Sequence, residues 1–153
     1  MDDNSSVHKK FMKIARDEAV IAKRKGEVPI GAVIVKDGDI IAKAHNLKET
    51  LNDATAHAEV LAIRKASKII GDWRLIGCNM YVTLEPCSMC ASAISQSRIS
   101  KLYIGTFNKE MGACGSIINL MDNRYTNFFT AINWLYDEEC SEIITSFFEE
   151  NRK

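Results

Sequence analysis

The sequence has no long uninterrupted apolar stretch. A helix that crosses a membrane needs roughly 20 consecutive apolar residues, and no hydrophobic run in this 153-residue chain approaches that length. The first ten residues, MDDNSSVHKK, also lack the basic and then apolar order of a signal peptide. We therefore expect a soluble cytoplasmic protein that has no membrane partner.

The chain also lacks net charge, because 20 basic residues balance 20 acidic ones. There is no overall attraction to a polyanion, so an RNA partner would require a local basic patch. The candidates for such a patch are Lys9, Lys10, Lys13, the Lys23–Lys25 cluster, Arg152 and Lys153. Charged helix faces are, however, usually only solvated.

Internal repeats, low-complexity tracts and linkers are absent as well, and the length fits a single domain spanning 1–153. Five cysteines, an odd number without a secretory signal, argue against a disulfide framework and favour free thiols or a metal site. The pair Cys87 and Cys90 is the first candidate.

Hydrophobic periodicity and turn residues predict four helices and five strands. Residues 8–25 show apolar positions three and four apart and precede Gly26, which is typical of a helix end. The stretch IGAVIVKDGDIIAKAHN contains two β-branched runs around Asp37-Gly38, which predicts an antiparallel hairpin. The other predicted elements are a helix from His57 to Ile70, a strand at 78–85, a helix from Pro86 through Ala93, strands at 101–105 and 130–135, and a helix at 138–151. Strand, helix and strand in succession imply that the later strands are parallel.

Three side chains have the chemistry of a zinc site. A catalytic zinc ion is typically held by three protein ligands, with a fourth position left for water. The motif PCSMC supplies the thiolates of Cys87 and Cys90 at the start of one helix, and His57 supplies a nitrogen at the start of another. Both helix starts carry partial positive charge, which favours thiolates.

Simpler interpretations of each residue remain open. The C-x-x-C pair alone fits a dithiol redox module. A structural zinc site is a further alternative, but it would need a fourth protein ligand with comparable spacing. Taken alone, His57 suits a helix cap, and Glu59 suits a first helical turn, where it can complement the dipole or cap with Thr55 or Asp53.

The joint occurrence of H-A-E and P-C-x-x-C is far rarer than either motif, and it matches the signature of zinc nucleobase deaminases. Deamination by water needs a hydroxide at neutral pH, which zinc provides by lowering the pKa of bound water to about 7. A neighbouring carboxylate must then carry protons. Glu59 is the candidate, and Glu85 is a weaker one that is better explained as structural through its backbone. His57 and Glu59 lie two residues apart, on nearly opposite sides of a helix, so they can only meet at a point ahead of the helix end.

Nearly the whole chain resembles the bacterial tRNA-specific adenosine deaminases, the TadA type of the cytidine deaminase-like superfamily. The matching stretches are EVPIGAVIV (27–35), HN (45–46), TAHAE (55–59), YVTLEPCSMC (81–90), SRI (97–99) and GACGS (112–116). The resemblance implies an α/β protein with a three-layer α/β/α cytidine deaminase-like fold, in which a mixed five-stranded sheet carries an N-terminal antiparallel hairpin.

The same resemblance implies an activity and a site. His57, Cys87 and Cys90 would hold one Zn²⁺ per chain, Glu59 would shuttle protons, and Asn46 would contact the nucleoside, unless it is only a turn residue. The expected reaction converts the wobble adenosine of a tRNA anticodon to inosine, and the expected assembly is a homodimer on an anticodon stem-loop.

Three points stay open in the sequence. The superfamily shares its zinc chemistry, so deamination of a free base or nucleoside, such as guanine or cytidine, is an alternative function. Either Phe147 or Phe148 could stack on RNA, although a core phenylalanine beside an exposed one is the simpler interpretation. Asn108 stands where relatives often have aspartate, which puts one nucleic-acid contact in doubt.

Overall fold

The computed structural model describes residues 2–122, 124 and 128–151. Its helices are α1 (Asp2–Arg24), α2 (Ala58–Ile70), α3 (Ser88–Gln96) and α4 (Glu138–Glu150). Its strands are β1 (Gly31–Lys36), β2 (Asp39–His45), β3 (Cys78–Leu84), β4 (Lys101–Thr106) and β5 (Ala131–Trp134). Each helix and strand that the sequence predicts is present at its predicted place, with differences only at the ends.

The five strands form one mixed sheet in the order β2-β1-β3-β4-β5. β1 pairs antiparallel with β2 and with β3, whereas β3, β4 and β5 run parallel to one another. The hairpin turn uses Asp37 and Gly38, which both have positive φ (51° and 80°), as a two-residue turn between twisted strands requires. The predicted hairpin and the parallel arrangement of the later strands are confirmed.

Helices cover both faces of the sheet, which confirms the three-layer prediction. On one face, buried alanines let α2 and α3 approach the strands closely, in a core that includes Ala58, Ala62, Ala66, Ala91, Ile94, Met80 and Val82. On the other face, α1 and α4 pack over a smaller core that includes Phe11, Met12, Ala15, Val33, Tyr81, Tyr103 and Cys140.

Two predicted helix starts were wrong. α1 begins at Asp2 rather than His8, because residues 5–7 are exposed and so carry no apolar periodicity. α3 begins at Ser88, with Cys87 as its extended N-cap (φ −73°, ψ 177°). The carbonyl of Cys87 accepts the first helical hydrogen bond, from Ala91 N, so Pro86 lies before the helix and not in its first turn.

The last helix was predicted to end beside Arg152 and Lys153, which lie outside the described residues. Among the residues that are described, no helix combines the length and the apolar character needed to cross a membrane.

Candidate metal centre and its cavity

The starts of α2 and α3 meet beyond the end of β3. His57 is the N-cap of α2 and Cys87 the N-cap of α3, and neither side chain caps its own helix. His57 Nδ1 lies 3.7 Å from Cys87 Sγ and 3.5 Å from Cys90 Sγ. The structure therefore brings together the three residues that the sequence suggested as ligands, with all their donor atoms within 4.8 Å of one another.

These distances fit a tetrahedral zinc ion. Bonds of about 2.3 Å to sulfur and about 2.0 Å to nitrogen place tetrahedral N and S ligands about 3.5 Å apart. The two N···S distances, 3.5 and 3.7 Å, are close to that value. Two sulfur donors and one nitrogen donor leave one tetrahedral position without a protein ligand, which is the arrangement of a catalytic rather than a structural zinc site.

The ionisation of the cluster favours a cation. A hydrogen bond from Cys90 and another from His57 lower the pKa of Cys87 to about 3, against the opposing effect of burial. The pKa of Cys90 is raised by its hydrogen bond to Cys87 and by burial. The pKa of His57 is raised by its own hydrogen bond to Cys87. The imidazole and the two thiol groups of the cluster thus share protons, and a metal ion bound by the same atoms can displace these protons.

Glu59 is buried beside this cluster, only 3% exposed. Burial raises the pKa of its carboxyl group to about 7, while its own backbone amide and the charge of His57 act in the opposite direction. Its Oε1 atom has no hydrogen-bond partner among the described residues. A buried carboxyl group with a free oxygen and a pKa near neutrality can both accept and donate a proton.

The spacing of His57 and Glu59 is explained by the helix start. His57 has extended backbone geometry (φ −78°, ψ 153°) and so stands just outside the helix. The direction of its side chain therefore does not follow the 100° rotation per residue of an α-helix. Both side chains line the same cavity.

That cavity has a volume of about 330 Å³, within the usual range of small-molecule sites. His57, Glu59 and Cys87 contribute to its wall, and apolar side chains from several elements complete it. Its other lining residues are Val28, Ile30, Asn46, Lys48, Leu84, Glu85, Asn108, Lys109, Glu110, Met111, Ile144, Thr145 and Phe148.

Asn46 lines the cavity. Its side chain also stabilises the turn after β2, which is the simpler role that the sequence suggested for it. Its Nδ2 atom donates to Val28 O (3.3 Å), and its Oδ1 atom accepts from Lys48 N (3.1 Å). An amide has two donor hydrogens and two acceptor lone pairs, so one of each remains. The local structure therefore orients Asn46 and leaves it able to contact a ligand.

Glu85 is structural through its side chain as well as through its backbone, whose N–H donates to Thr106 O (2.9 Å). Its carboxylate accepts hydrogen bonds from the amides of Asn108 (3.1 Å), Cys114 (2.9 Å) and Ser116 (3.1 Å), and from the Ser116 hydroxyl. Both oxygens are occupied. Glu85 therefore holds the 108–116 loop and, unlike Glu59, has no free oxygen facing the metal centre.

Two basic cavity residues, Lys48 and Lys109, were not identified from the sequence. Lys48 and Lys109 follow the cavity residues Asn46 and Asn108 closely in the sequence. That closeness was the sequence signal that could have identified the two lysines. Phe148 lines the cavity and is 55% exposed, whereas Phe147 is half-buried and contacts it edge to face. None of the described basic residues suggested as an RNA patch lines the cavity, and Lys13 and Lys23 instead pair with Asp17 and Glu150.

The three cysteines outside the candidate metal centre are free thiols, one of the two roles that the odd cysteine count favours. Cys78, Cys114 and Cys140 are free and buried, and burial raises the pKa of each. They behave as small core residues.

Comparison with known families agrees with the fold and with the donor set. The family described as the cytidine and deoxycytidylate deaminase zinc-binding region matches residues 5–106. The chain therefore belongs to this family of zinc-binding deaminases.

Within that family, the chain belongs with the tRNA-specific adenosine deaminases. It is 47% identical to the Bacillus subtilis tRNA-specific adenosine deaminase, over 94% of this chain and 89% of the relative. It is 46% identical to that of Aquifex aeolicus, over 93% and 94%. A structure solved in studies of A-to-I editing by tRNA:A34 deaminases is 43% identical, with a TM-score of 0.85 over 88% of this chain and 99% of that chain.

One solved structure in this family has a different named activity. The guanine deaminase of Bacillus subtilis is 44% identical, with a TM-score of 0.64, over 67% of this chain and 66% of that chain.

Proposed function

We propose that this chain is a hydrolase that converts the wobble adenosine of a tRNA anticodon to inosine, with release of ammonia. The observation that carries the proposal is the 47% identity to a tRNA-specific adenosine deaminase over 94% of the chain. The same proposal treats residues 1–153 as one zinc-dependent deaminase domain.

His57, Cys87 and Cys90 would hold one zinc ion per chain. The N···S distances of 3.5 and 3.7 Å and the N/S/S donor set support this assignment. Zinc at such a site supplies a hydroxide-like nucleophile at neutral pH and polarises the group under attack.

Glu59 is the proton carrier in this proposal. Its Oε1 takes one proton from the attacking water and passes it to N1 of the adenine ring. It then moves the second proton of that water, now on the new C6 hydroxyl, to the amine, which leaves as ammonia. Three buried carboxylates lie in or beside the cavity region, but those of Glu27 and Glu85 accept hydrogen bonds from loop amides on both oxygens. Of these three, Glu59 is the one with a buried oxygen that has no hydrogen-bond partner among the described residues, so Glu59 is the one free to move a proton.

The cavity wall offers groups suited to a flipped-out nucleotide. The free donor and acceptor of Asn46 can contact the nucleoside, and the ammonium groups of Lys48 and Lys109 can meet the flanking phosphates. Phe148, exposed at the same cavity, offers a ring face on which a neighbouring base can stack. An anticodon loop provides unpaired bases for such contacts.

The proposed assembly is a cytoplasmic homodimer. The end of α2 and the loop after it expose Ile69, Trp73 and Ile76, and large apolar side chains grouped on a surface are typical of protein interfaces. Sedimentation of the purified protein should give twice the mass of one chain, and a monomer at micromolar concentration would contradict the dimer.

Deamination of a free base or nucleoside is the second candidate, favoured by the 44% identity to the Bacillus subtilis guanine deaminase. The two proposals differ in what must reach the cavity. A free base needs only the inner wall, whereas an anticodon loop also needs the residues at the opening.

The deciding experiment offers the zinc-loaded protein an anticodon stem-loop with a wobble adenosine, and in parallel free adenosine, cytidine and guanine. We expect inosine in the stem-loop at the wobble position alone. A stem-loop with guanosine at that position is the control for non-specific hydrolysis. Product only from free guanine or from the free nucleosides would replace the tRNA proposal by the second candidate.

A further inference from the structure

We propose that Glu27 and Glu85 are positioning residues, each of which fastens one of two loops at the cavity opening, so that RNA meets a preformed site. This inference rests on the proposed function for its substrate, but its structural part can be tested without that substrate. The two loops are 46–50, after β2, and 108–116, after β4.

Glu27 fastens the first loop. Its side chain is completely buried, and its two carboxylate oxygens accept hydrogen bonds from Glu49 N (3.0 Å) and Thr50 N (2.6 Å). The Thr50 hydroxyl also bonds to it. The loop held in this way carries Asn46 and Lys48, which line the cavity, whereas Glu27 itself does not.

Glu85 fastens the second loop. Its oxygens accept from three backbone amides and from the Ser116 hydroxyl. The loop packs so closely against it that a Cβ atom on Gly112 would lie 2.5 Å from Glu85 Cδ. The held segment carries Asn108 and Lys109 at the cavity.

The choice of a carboxylate at both positions has a chemical reason. An ionised carboxylate only accepts hydrogen bonds, so it can face several N–H donors at once, whereas an amide of the same size would oppose one of them with its own N–H groups. No ion pair among the described residues involves either side chain. Burying such a charge is costly unless hydrogen bonds compensate it, and here the compensating donors all belong to the two loops or their ends.

The opening is therefore expected to be set before substrate arrives. Each carboxylate ties its loop to a residue next to the core sheet, one before β1 and the other directly after β3. Loop positions that are fixed in the free protein lower the ordering cost of binding. Loss of either attachment should weaken RNA binding more than it slows the chemical step.

The experiment compares Glu27→Gln and Glu85→Gln with Glu49→Gln, a matched control. Glu49 is exposed in the first loop, so its substitution removes the same charge but keeps the backbone amide that Glu27 holds. Hydrogen exchange of the amides of residues 49 and 50, and of 108, 114 and 116, is measured together with kcat, KM for the stem-loop, and zinc content. We expect Glu27→Gln to speed exchange at least about 10-fold at 49 and 50 only, and Glu85→Gln to do so in the second loop only. We also expect KM to rise about 10-fold in each, with kcat changed less than about 3-fold and zinc retained.

Milder variants protect the test against misfolding. Thr50→Ala and Ser116→Ala each remove one hydroxyl donor and leave the carboxylate in place, and they should shift exchange and KM in the same direction by a smaller factor. Unchanged exchange and unchanged KM in the glutamine variants would overturn the proposal, and so would a loss confined to kcat or to zinc. Failure of the proposed function is recognised separately, because the wild-type protein would then leave the stem-loop unchanged while the exchange pattern could still be measured.

Discussion

His57 Nδ1 lies 3.5 Å from Cys90 Sγ, although the two residues are 33 positions apart, one as the N-cap of α2 and the other in the first turn of α3. The contact exists because α2 and α3 begin at the same place beyond β3. The candidate metal centre is thus a product of the tertiary structure, because its donors come from the starts of two different helices.

Removal of a donor should empty the metal site. For Cys90→Ala we expect zinc to fall below about 0.1 per chain, because two remaining ligands seldom hold zinc against competing chelators. Metal analysis after dialysis gives the measurement. Cys78→Ala is the control, since Cys78 is buried away from the cluster, and it should retain zinc. Full occupancy in Cys90→Ala or Cys87→Ala would show that the ligand set is wrong.

Glu59→Gln separates metal binding from proton transfer. The amide keeps the size of the side chain but cannot accept and release a proton, so kcat should fall about 10²- to 10⁴-fold while zinc stays bound. Glu49→Gln, with an exposed side chain, should keep wild-type kcat. A metal-replete Glu59→Gln enzyme with normal turnover would exclude Glu59 as the proton carrier.

Much of the fold was predictable because its signals are local. The residues that form the apolar pattern of α2, that of α4 and the Asp37-Gly38 turn are in each case close together in the sequence. The start of α3 was harder to predict. Whether Cys87 is a cap or a helical residue depends on its backbone angles and not on the hydrophobicity of its neighbours. The N, S and S donors of the candidate metal centre could be suggested because motifs mark them.

The surroundings of the metal centre could not be predicted in the same way. Glu27 meets Glu49 across 22 positions, and Glu85 meets Ser116 across 31. Such pairings depend on how the loops pack against the sheet in the tertiary structure, and no periodic pattern in the sequence predicts them. The same holds for Phe148, since only the packing of α4 decides which of two adjacent phenylalanines lines the cavity.

The two phenylalanines of α4 should differ in their effect on RNA binding. Phe148 is 55% exposed at the cavity, and stacking of a base on an aromatic ring contributes about 1–3 kcal/mol. Phe148→Ala should therefore raise the Kd for the stem-loop about 5- to 150-fold, by the usual conversion of free energy to affinity. Phe147→Ala is the matched comparison and should mainly lower thermal stability. Equal Kd values for Phe148→Ala and the wild type would remove Phe148 from the RNA surface.

Glu27 should make the stability of the protein depend on acid pH. Burial favours the neutral form of this carboxyl group, but the hydrogen bonds from Thr50 and Glu49 outweigh it, so its folded pKa lies below the ordinary value of 4.5. A lowered folded pKa means that the ionised group stabilises the fold above pH 4.5 and that this contribution is lost as pH falls through the folded pKa. The difference in free energy of unfolding between the wild type and Glu27→Gln should therefore shrink steadily from pH 6 towards pH 3. Denaturant titrations at each pH measure it, and loss of metal in acid affects both proteins alike. Parallel stability curves for the two proteins over this range would mean that Glu27 is not held as a carboxylate by its loop.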